Sequence, residues 1–89
     1  ANYVYIVRSL KDGSFYKGYS ENSLQRLIQH NNKLSQYTAT KVPWQLVYIE
    51  ICINKTIALK REKALKKYSH SQIELLIASQ KNIVKQFLQ

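Results

Sequence analysis

Hydrophobic and polar residues alternate in two short segments near the start of the chain. Residues 3–10 and 14–19 are rich in β-branched and aromatic residues, and Asp12-Gly13 lies between them. Alternation with period two is typical of strands, and an Asp-Gly pair is typical of a two-residue type I′ turn. The pattern therefore predicts a β-hairpin.

The turn also predicts which residues face each other. A two-residue loop pairs Lys11 with Ser14, and Tyr16 then lies opposite Ser9. Because strand side chains alternate, Ser9 shares a face with Tyr5, and we expect Tyr5 and Tyr16 to project from the same face. The residues expected to point into a core from the other face are Val4 and Ile6.

A helix is predicted next, over residues 22–32. Asn22 and Gln25 have the spacing of a helix N-cap and its capping-box partner. Arg26 and His30 are four residues apart and lie opposite the apolar stripe of this helix. Two solvated polar residues would be the default interpretation. The neighbouring tyrosine face is what favours a functional one.

The pattern further along predicts a third strand and another helix. Residues 33–43 form a polar loop, residues 45–52 alternate as a strand, and residues 56–68 have helical periodicity. The two faces of the strand are predicted to be Leu46, Tyr48 and Glu50 on one side and Val47, Ile49 and Ile51 on the other. The apolar stripe of the helix is Ile57, Ala58, Ala64, Leu65 and Tyr68.

Two charged residues of this helix lie close to its apolar stripe. Glu62 is at the margin, where a carboxylate is partly removed from water, and this suits a metal ligand. Arg61 lies nearer the centre of the stripe, and an ion pair with Glu50 is expected to accompany its burial. A metal site formed by Glu50 and Glu62 together is a weaker alternative.

The last part of the chain has a continuous apolar period. Ser71 and Glu74 have capping-box spacing, and the period that follows continues through Ile83, Val84, Phe87 and Leu88. We expect a helix that extends nearly to residue 89, with a domain over 1–80 and a helical extension over 81–89. The extension either folds back on its own domain or pairs with a second copy, and a homodimer is slightly favoured.

Composition narrows the functional class. The 89 residues suit one small domain, and fourteen Lys and Arg against five Asp and Glu give a net charge of +9, which favours a polyanionic partner. The single cysteine, Cys52, excludes an internal disulfide framework and CxxC metal sites. No apolar run approaches the ~18 residues of a spanning helix and no secretory signal pattern opens the chain, so no membrane partner and a cytoplasmic location are expected.

Several of these residues together resemble the GIY-YIG endonuclease superfamily, in particular its small standalone bacterial members. The resemblance rests on their order and spacing over about residues 2–78. The signature residues are Tyr3-Val4-Tyr5, Tyr16-Lys17-Gly18, Arg26, His30 and Arg61-Glu62-Lys63, with further similarity at Tyr37-Thr38, Pro43-Trp44-Gln45-Leu46-Val47-Tyr48, Glu50 and Ala58-Leu59-Lys60. The fold that it implies is α+β, a three-stranded, mainly antiparallel sheet flanked by helices in the order β-β-α-β-α-α.

The resemblance also implies a catalytic set. Tyr5 matches a general base for the attacking water, and Tyr16 a phenol that hydrogen-bonds the scissile phosphate or that water. Arg26 would neutralise charge in the transition state, and His30 would orient Tyr5 or share its proton. Glu62 matches the glutamate that holds one divalent ion, Mg²⁺ or Mn²⁺.

Other positions are expected to contact the nucleic acid. Gly18 would allow close approach of backbone or substrate because it has no side chain. Three departures from the family pattern stand out. Tyr3 stands where the first motif has a glycine, Lys17 replaces an isoleucine, and no residue matches a later active-site asparagine, because Asn82 lies beyond the expected domain end. The predicted contact residues are Gly18, Lys17, Lys33, Tyr37, Thr38 and Lys41.

The sequence thus predicts a metal-dependent endonuclease that hydrolyses phosphodiester bonds in DNA, with RNA as an alternative partner. A catalytically weak or inactive nucleic-acid-binding module that keeps the fold is the main alternative. A third is a basic adaptor that binds protein through its C-terminal helix.

Overall fold

The computed structural model of the protein describes residues 2–21 and 40–87, without the side chains of residues 86 and 87. Its three strands form one antiparallel sheet in the spatial order β2-β1-β3, which confirms the predicted α+β architecture. The predicted helix over 22–32 lies outside the described residues. The described elements are β1 (Asn2–Ser9), β2 (Phe15–Ser20), β3 (Trp44–Cys52), α1 (Lys55–Leu65), α2 (His70–Ile77) and α3 (Val84–Phe87).

The hairpin between β1 and β2 has a longer loop than the Asp12-Gly13 pair predicts. Ser9 N donates to Ser14 O at 2.8 Å, and residues 10–13 form the loop between them. The hydroxyl of Ser9 accepts from the backbone N–H groups of Lys11 and Asp12, and it fixes the first half of the loop. The predicted two-residue turn is therefore wrong, because a buried serine supplies acceptors that a type I′ turn does not use.

The second half of the loop is held by Asp12. Its Oδ1 accepts from both the backbone N–H and the hydroxyl of Ser14, and these hydrogen bonds lower the pKa of Asp12 to about 2. Gly13 has φ 77°, in the left-handed region that glycine adopts without strain. The loop thus closes with side-chain acceptors and one glycine.

The longer loop changes the pairing partners but preserves the faces. Tyr16 lies opposite Val7 rather than Ser9, and Tyr5 lies opposite Gly18. The displacement is by two residues, an even number, so each side chain keeps its predicted side of the sheet. Tyr5 and Tyr16 accordingly share a face, as predicted.

Gly18 makes room for the ring of Tyr5. A Cβ built at this position would overlap the Cζ and Oη atoms of Tyr5 and would lie 2.8 Å from its Cε1. Gly18 itself has an ordinary strand conformation, so the side chain across the strand, rather than the backbone, requires the glycine. The space predicted for a backbone or substrate is filled by Tyr5.

Both faces of the sheet are covered, and β1 lies buried between two apolar clusters. Its four central residues have no exposed surface, and Val4 and Ile6 point into the core as predicted. The first cluster consists of Val4, Ile6, Tyr48, Cys52, Ala58, Leu65, Ile73 and Leu76. The second consists of Tyr5, Val7, Trp44, Leu46, Ile49 and Val84.

A β-bulge in β3 breaks the predicted alternation of that strand. Ile6 pairs with Tyr48 but the next residue, Val7, pairs with Leu46, so Val47 is the additional residue. A bulge of this kind reverses the sides of the residues that follow it. Leu46 therefore lies in the second cluster and Tyr48 in the first, and the prediction that they share a face is wrong.

Helix α1 begins one residue earlier and ends earlier than predicted. The side chain of Asn54 accepts from Ile57 N at 2.9 Å and caps the first turn. Ala58 and Leu65 are buried, whereas Ile57 and Ala64, assigned to the apolar stripe, are exposed. The buried face of the helix is narrower than its sequence pattern because α1 contacts the sheet along one side only.

The predicted ion pair between Arg61 and Glu50 is present. Arg61 Nε donates to Glu50 Oε1 at 3.2 Å and to Oε2 at 3.1 Å. Tyr48 donates to Oε1 of the same carboxylate at 2.6 Å. Glu50 is thus fully engaged within the domain.

Helix α2 is capped by a different pair of residues from the one predicted. Ser69 and Gln72 form the capping box, two residues before Ser71 and Glu74. The helix ends at Ile77, and the long helix expected to reach the end of the chain is not formed among the described residues. The prediction of a homodimer was based on that long helix, and it therefore has no support among the described residues.

Asn82 explains why the chain turns back. Its Nδ2 donates to Val47 O and Ile77 O, both at 2.9 Å. Its Oδ1 accepts from Ile49 N at 3.3 Å and from Val84 N at 3.0 Å. One amide therefore joins the end of α2, the start of α3 and the outer edge of β3 at the bulge, and Val84 is buried in the second cluster.

No helix among residues 2–21 and 40–87 has both the length and the apolarity needed to cross a membrane.

We predict that Asn82→Ala will lower the free energy of unfolding by about 2–3 kcal/mol, since it leaves several partly buried backbone groups without partners. Chemical denaturation followed by tryptophan fluorescence measures this. The matched control is Gln80→Ala, because Gln80 is exposed in the same connection and should change stability by less than about 0.5 kcal/mol. Equal effects of the two substitutions would contradict the assigned role of Asn82.

We also predict that Gly18→Ala will destabilise the fold by about 1–3 kcal/mol, because the new methyl group overlaps the ring of Tyr5. The same substitution in a Tyr5→Leu background should cost at least about 1 kcal/mol less, since leucine lacks the atoms that clash. Urea unfolding of the four proteins in this double-mutant cycle gives the coupling. Additive effects would show that Tyr5 is not the reason for the glycine.

Candidate active site

The two motif tyrosines lie on one face of the β1–β2 hairpin but differ in their access to solvent. Tyr5 is on the central strand and is 0% exposed, packed within the second cluster and over Gly18. Tyr16 is on the outer strand β2 and is partly exposed. Its ring lies 6.3 Å from that of Trp44 at an interplanar angle of 65°, an edge-to-face contact that limits its movement. Of the two phenols, only that of Tyr16 belongs to a residue with exposed surface.

A cavity of about 360 Å³ opens beside Tyr16. The described residues that line it, here called the β2-edge cavity, are Phe15, Tyr16, Lys17 and Lys66. Three of these residues are consecutive on β2 and the fourth follows the C-terminal end of α1. The cavity is thus lined by two aromatic and two basic residues at the margin of the sheet.

Glu62 is linked to this cavity through Lys66. The Glu62 side chain is 20% exposed, as its marginal position on the helix predicts, and its Oε2 is 3.8 Å from Lys66 Nζ. The two residues are one helical turn apart, so the helix geometry brings them together. Lys66 therefore links the two parts of the predicted set, because it lines the same cavity as Tyr16 and contacts Glu62.

The remaining predicted site residues are distributed differently. Lys41 lies at the hairpin loop, where its Nζ is 3.5 Å from Asp12 Oδ2 and 3.4 Å from Ser14 Oγ. Lys17 lines the cavity, and burial lowers its pKa. The predicted site residues that lie outside the described part of the chain are Arg26, His30, Lys33, Tyr37 and Thr38.

The alternative of a metal site shared by Glu50 and Glu62 does not fit the geometry. Glu50 is held by Arg61 and Tyr48, and burial together with its hydrogen bond to Glu50 raises the pKa of the Tyr48 phenol. In residues 2–21 and 40–87, no three His, Cys, Asp or Glu side chains come together as a metal-binding group. Glu50 belongs to a structural network.

A single carboxylate at Glu62 nevertheless fits Mg²⁺ or Mn²⁺. Mg²⁺ keeps several waters and is commonly held by one or two carboxylates together with substrate phosphates. Glu62 retains exposed surface, and its contact with Lys66, at 3.8 Å, is longer than a direct hydrogen bond. The donor set suits an ion that arrives with a phosphate, rather than one enclosed by protein ligands.

Two residues of this region were missed by the sequence reasoning. Lys66 and Phe15 both line the β2-edge cavity, but neither belongs to the matched motifs. The spacing between Glu62 and Lys66 is the signal that could have identified Lys66. Phe15 gave no comparable signal, because its position in the hairpin is explained by packing.

Asn82, which was left without a functional match, has a structural role. All four of its described hydrogen bonds are to backbone groups of β3, α2 and α3. An amide used in this way has no donor left for a substrate. Its sequence position beyond the expected domain end concealed its contact with β3.

Comparison with protein families matches residues 1–74 to the GIY-YIG catalytic domain. A UPF0213 protein of Staphylococcus saprophyticus is 44% identical over 78 residues, which cover 86% of this chain and 94% of the relative. A UPF0213 protein of Clostridium perfringens is 42% identical, with 88% of this chain and 84% of the relative covered.

A solved structure supports the same relationship. The solution NMR structure of a UPF0213 protein from Bacillus halodurans superposes with a TM-score of 0.57 at 31% identity, covering 94% of this chain and 90% of that one. The family match extends over both tyrosine segments and over α1 with Glu62. On these grounds the chain belongs to the GIY-YIG family.

Proposed function

We propose that this protein is a metal-dependent endonuclease that hydrolyses phosphodiester bonds in DNA. Membership of the GIY-YIG family makes it a relative of nucleases. The observation that supports the proposal most directly is the β2-edge cavity, which Tyr16 and Lys66 line, together with the contact between Lys66 and Glu62. A phenol, a carboxylate and cationic groups are together what hydrolysis of a phosphodiester by a one-metal mechanism requires.

The charge of the chain supports a nucleic-acid substrate. The net charge of +9 favours a polyanion by release of its counterions. DNA is the proposed substrate, and RNA is the alternative that a cleavage assay on matched oligonucleotides decides.

The different access of the two tyrosines suggests different roles. Tyr16 lines the cavity, and we assign to it the hydrogen bond to the phosphate or to the attacking water. Tyr5 keeps the role of general base implied by the family. Because Tyr5 is enclosed, this role would require substrate binding to open a path for water to its phenol.

A tyrosine base needs strong support from its surroundings. With an ordinary pKa near 10, only roughly 0.1% of a phenol is ionised at neutral pH, and moving the pKa to near 7 takes about 4 kcal/mol. The resemblance assigns Arg26 and His30 to this task, the arginine by its charge and the histidine by a hydrogen bond. Their positions are outside the described residues, and their roles are part of the proposal.

Glu62 is the proposed holder of the divalent ion. When bound, the ion would supply positive charge to the phosphate and its leaving oxygen. Lys66 contacts the same carboxylate and would give up part of that contact on binding of the ion. The remaining chemistry, orientation of water and uptake of its proton, belongs to the tyrosines and to Arg26 and His30.

We predict that Glu62→Gln will reduce cleavage of a labelled DNA panel in Mg²⁺ or Mn²⁺ to the detection limit, because the amide cannot provide the carboxylate charge. Its circular dichroism and its DNA affinity measured in EDTA should stay within about twofold of the wild type. The control is Glu21→Gln, which removes an exposed carboxylate just after β2 and should cleave normally. A Glu62→Gln protein that cleaves at the wild-type rate excludes the one-metal mechanism.

We predict that Tyr5→Phe and Arg26→Ala will each lower the cleavage rate at least ~10²-fold, the scale expected for loss of a base or a transition-state donor. Tyr3→Phe, from the same strand and face as Tyr5, should be nearly silent. Single-turnover rates measured at saturating protein test this. A larger loss in Tyr16→Phe than in Tyr5→Phe would transfer the role of base to Tyr16. DNA binding without cleavage by the wild type would favour the binding-module alternative.

A further inference from the structure

We propose that the β2-edge cavity, lined by Phe15, Tyr16, Lys17 and Lys66, binds the phosphate of a nucleotide that flanks the scissile bond. This subsite extends the proposed function, because it holds a part of the substrate that does not react. Its ligand is a phosphodiester group of a nucleic-acid strand, recognised by two ammonium groups beside an aromatic wall.

The position of the cavity follows from the pairing of β2. Ser9 and Ser14 form a hydrogen-bonded pair, so by the alternation of an antiparallel ladder Val7–Tyr16 and Tyr5–Gly18 are also hydrogen-bonded pairs. The backbone groups of Phe15 and Lys17 therefore point away from β1. These two residues line the cavity, which places it at the outer edge of the sheet, where a strand of nucleic acid can lie alongside β2.

The two lysines make the cavity suitable for an anion. Lys17 is half-buried, and among the residues that the structure describes it has no carboxylate within ion-pair distance. Burial lowers its pKa, as expected of a cation that is partly desolvated without a counter-charge. A phosphate placed beside it would offset that cost, because it supplies the missing negative charge.

Lys66 already contacts one anionic group and has room for a second. Its ammonium group is 3.8 Å from Glu62, and its side chain is 58% exposed. A phosphate between Lys17 and Lys66 would give Lys66 a second anionic partner. The contact with Glu62 would then weaken, and Glu62 would be freed for the ion assigned to it above. Occupation of the subsite thus favours the arrangement that the reaction needs.

The aromatic wall of the cavity is held from behind. The ring of Phe15 packs against His70, with ring centroids 4.6 Å apart, and Arg8 lies over it at 5.3 Å. Arg8 in turn donates to Glu74 at 2.9 Å. Phe15 is therefore fixed in place, and a fixed wall lowers the entropy cost of ordering a bound nucleotide.

The size and position of the cavity favour a flanking group rather than the reacting one. About 360 Å³ is at the lower end of the range for small-ligand sites, enough for a phosphate with part of its nucleotide. Lys66 lines the cavity and contacts Glu62, and the reacting phosphate belongs beside Glu62 because that carboxylate is assigned to the ion. The phosphate next along the strand would then lie between the two lysines.

Binding without cleavage provides the first test. A fluorescein-labelled single-stranded DNA is titrated with the full chain in EDTA at several salt concentrations. Lys17→Gln/Lys66→Gln should bind at least ~10-fold more weakly, with the slope of log affinity against log salt reduced by about 1.4, since each lost phosphate contact contributes about 0.7. Lys81→Gln/Lys85→Gln removes the same charge from two exposed positions near α3 and should lose less than about threefold. Equal losses in the two double variants would overturn the subsite.

Kinetics of the single variants provide the second test. Lys17→Gln should raise KM about tenfold and leave kcat within about threefold, and Lys17→Arg should restore most of the KM. A fall in kcat without a change in KM, or no rescue by arginine, would overturn the proposal. These outcomes are separate from failure of the proposed function, which would appear as absence of cleavage by the wild type whatever the binding of the lysine variants.

Discussion

The structure depends on the burial of β1 on both of its faces. Its residues from Val4 to Val7 have no exposed surface, and a strand in this position requires an apolar layer on each side. Helices α1 and α2 supply one layer, and Trp44 and Val84 contribute to the other. Because both faces of the central strand are covered, a substrate could reach the described part of the sheet only at its edges.

The two outer edges of the sheet differ in what lies against them. The outer edge of β3 is occupied by the segment that contains Asn82, whose amide bonds to the backbone on both sides of the bulge. The outer edge of β2 carries the cavity with its aromatic and cationic lining. The proposed phosphate chemistry fits the β2 margin, because a polyanion bound there would contact Lys17, Lys66 and Tyr16 without displacing core residues.

The sequence was informative wherever local patterning decided the outcome. The faces of Tyr5 and Tyr16 and the Arg61–Glu50 pair follow from strand and helix periodicity, and all of them are present. The bulge at Val47 could not be predicted, because it depends on how β3 meets β1 and leaves no mark in the alternation. The end of α2 was missed for a similar reason, since the apolar period continues past Ile77 but belongs to a segment that packs on β3.

In the candidate site, too, local patterning was informative and contacts between distant segments were not predictable. Motif spacing identified Tyr16 and Glu62, whereas the cavity between β2 and α1 arises from the approach of two elements distant in sequence. Gly18 was correctly singled out as a place of close approach, but the group that approaches is the ring of Tyr5. Contacts of this kind are set by strand pairing, and a one-dimensional pattern does not contain them.

The bulge in β3 has a consequence for how the protein remains dispersed. Beyond the part of β3 that Asn82 covers, the strand continues to Cys52. Ile51 in this part is 56% exposed, and Ile53, which follows the strand, is 93% exposed. An open strand edge next to bare isoleucines is a template for pairing between chains. By occupying the edge at residues 47–49, the Asn82 segment shortens the length of β3 that is free to pair with a strand of another chain. Loss of the residues after α2 would therefore lengthen the edge open to aggregation as well as remove Val84 from the second cluster.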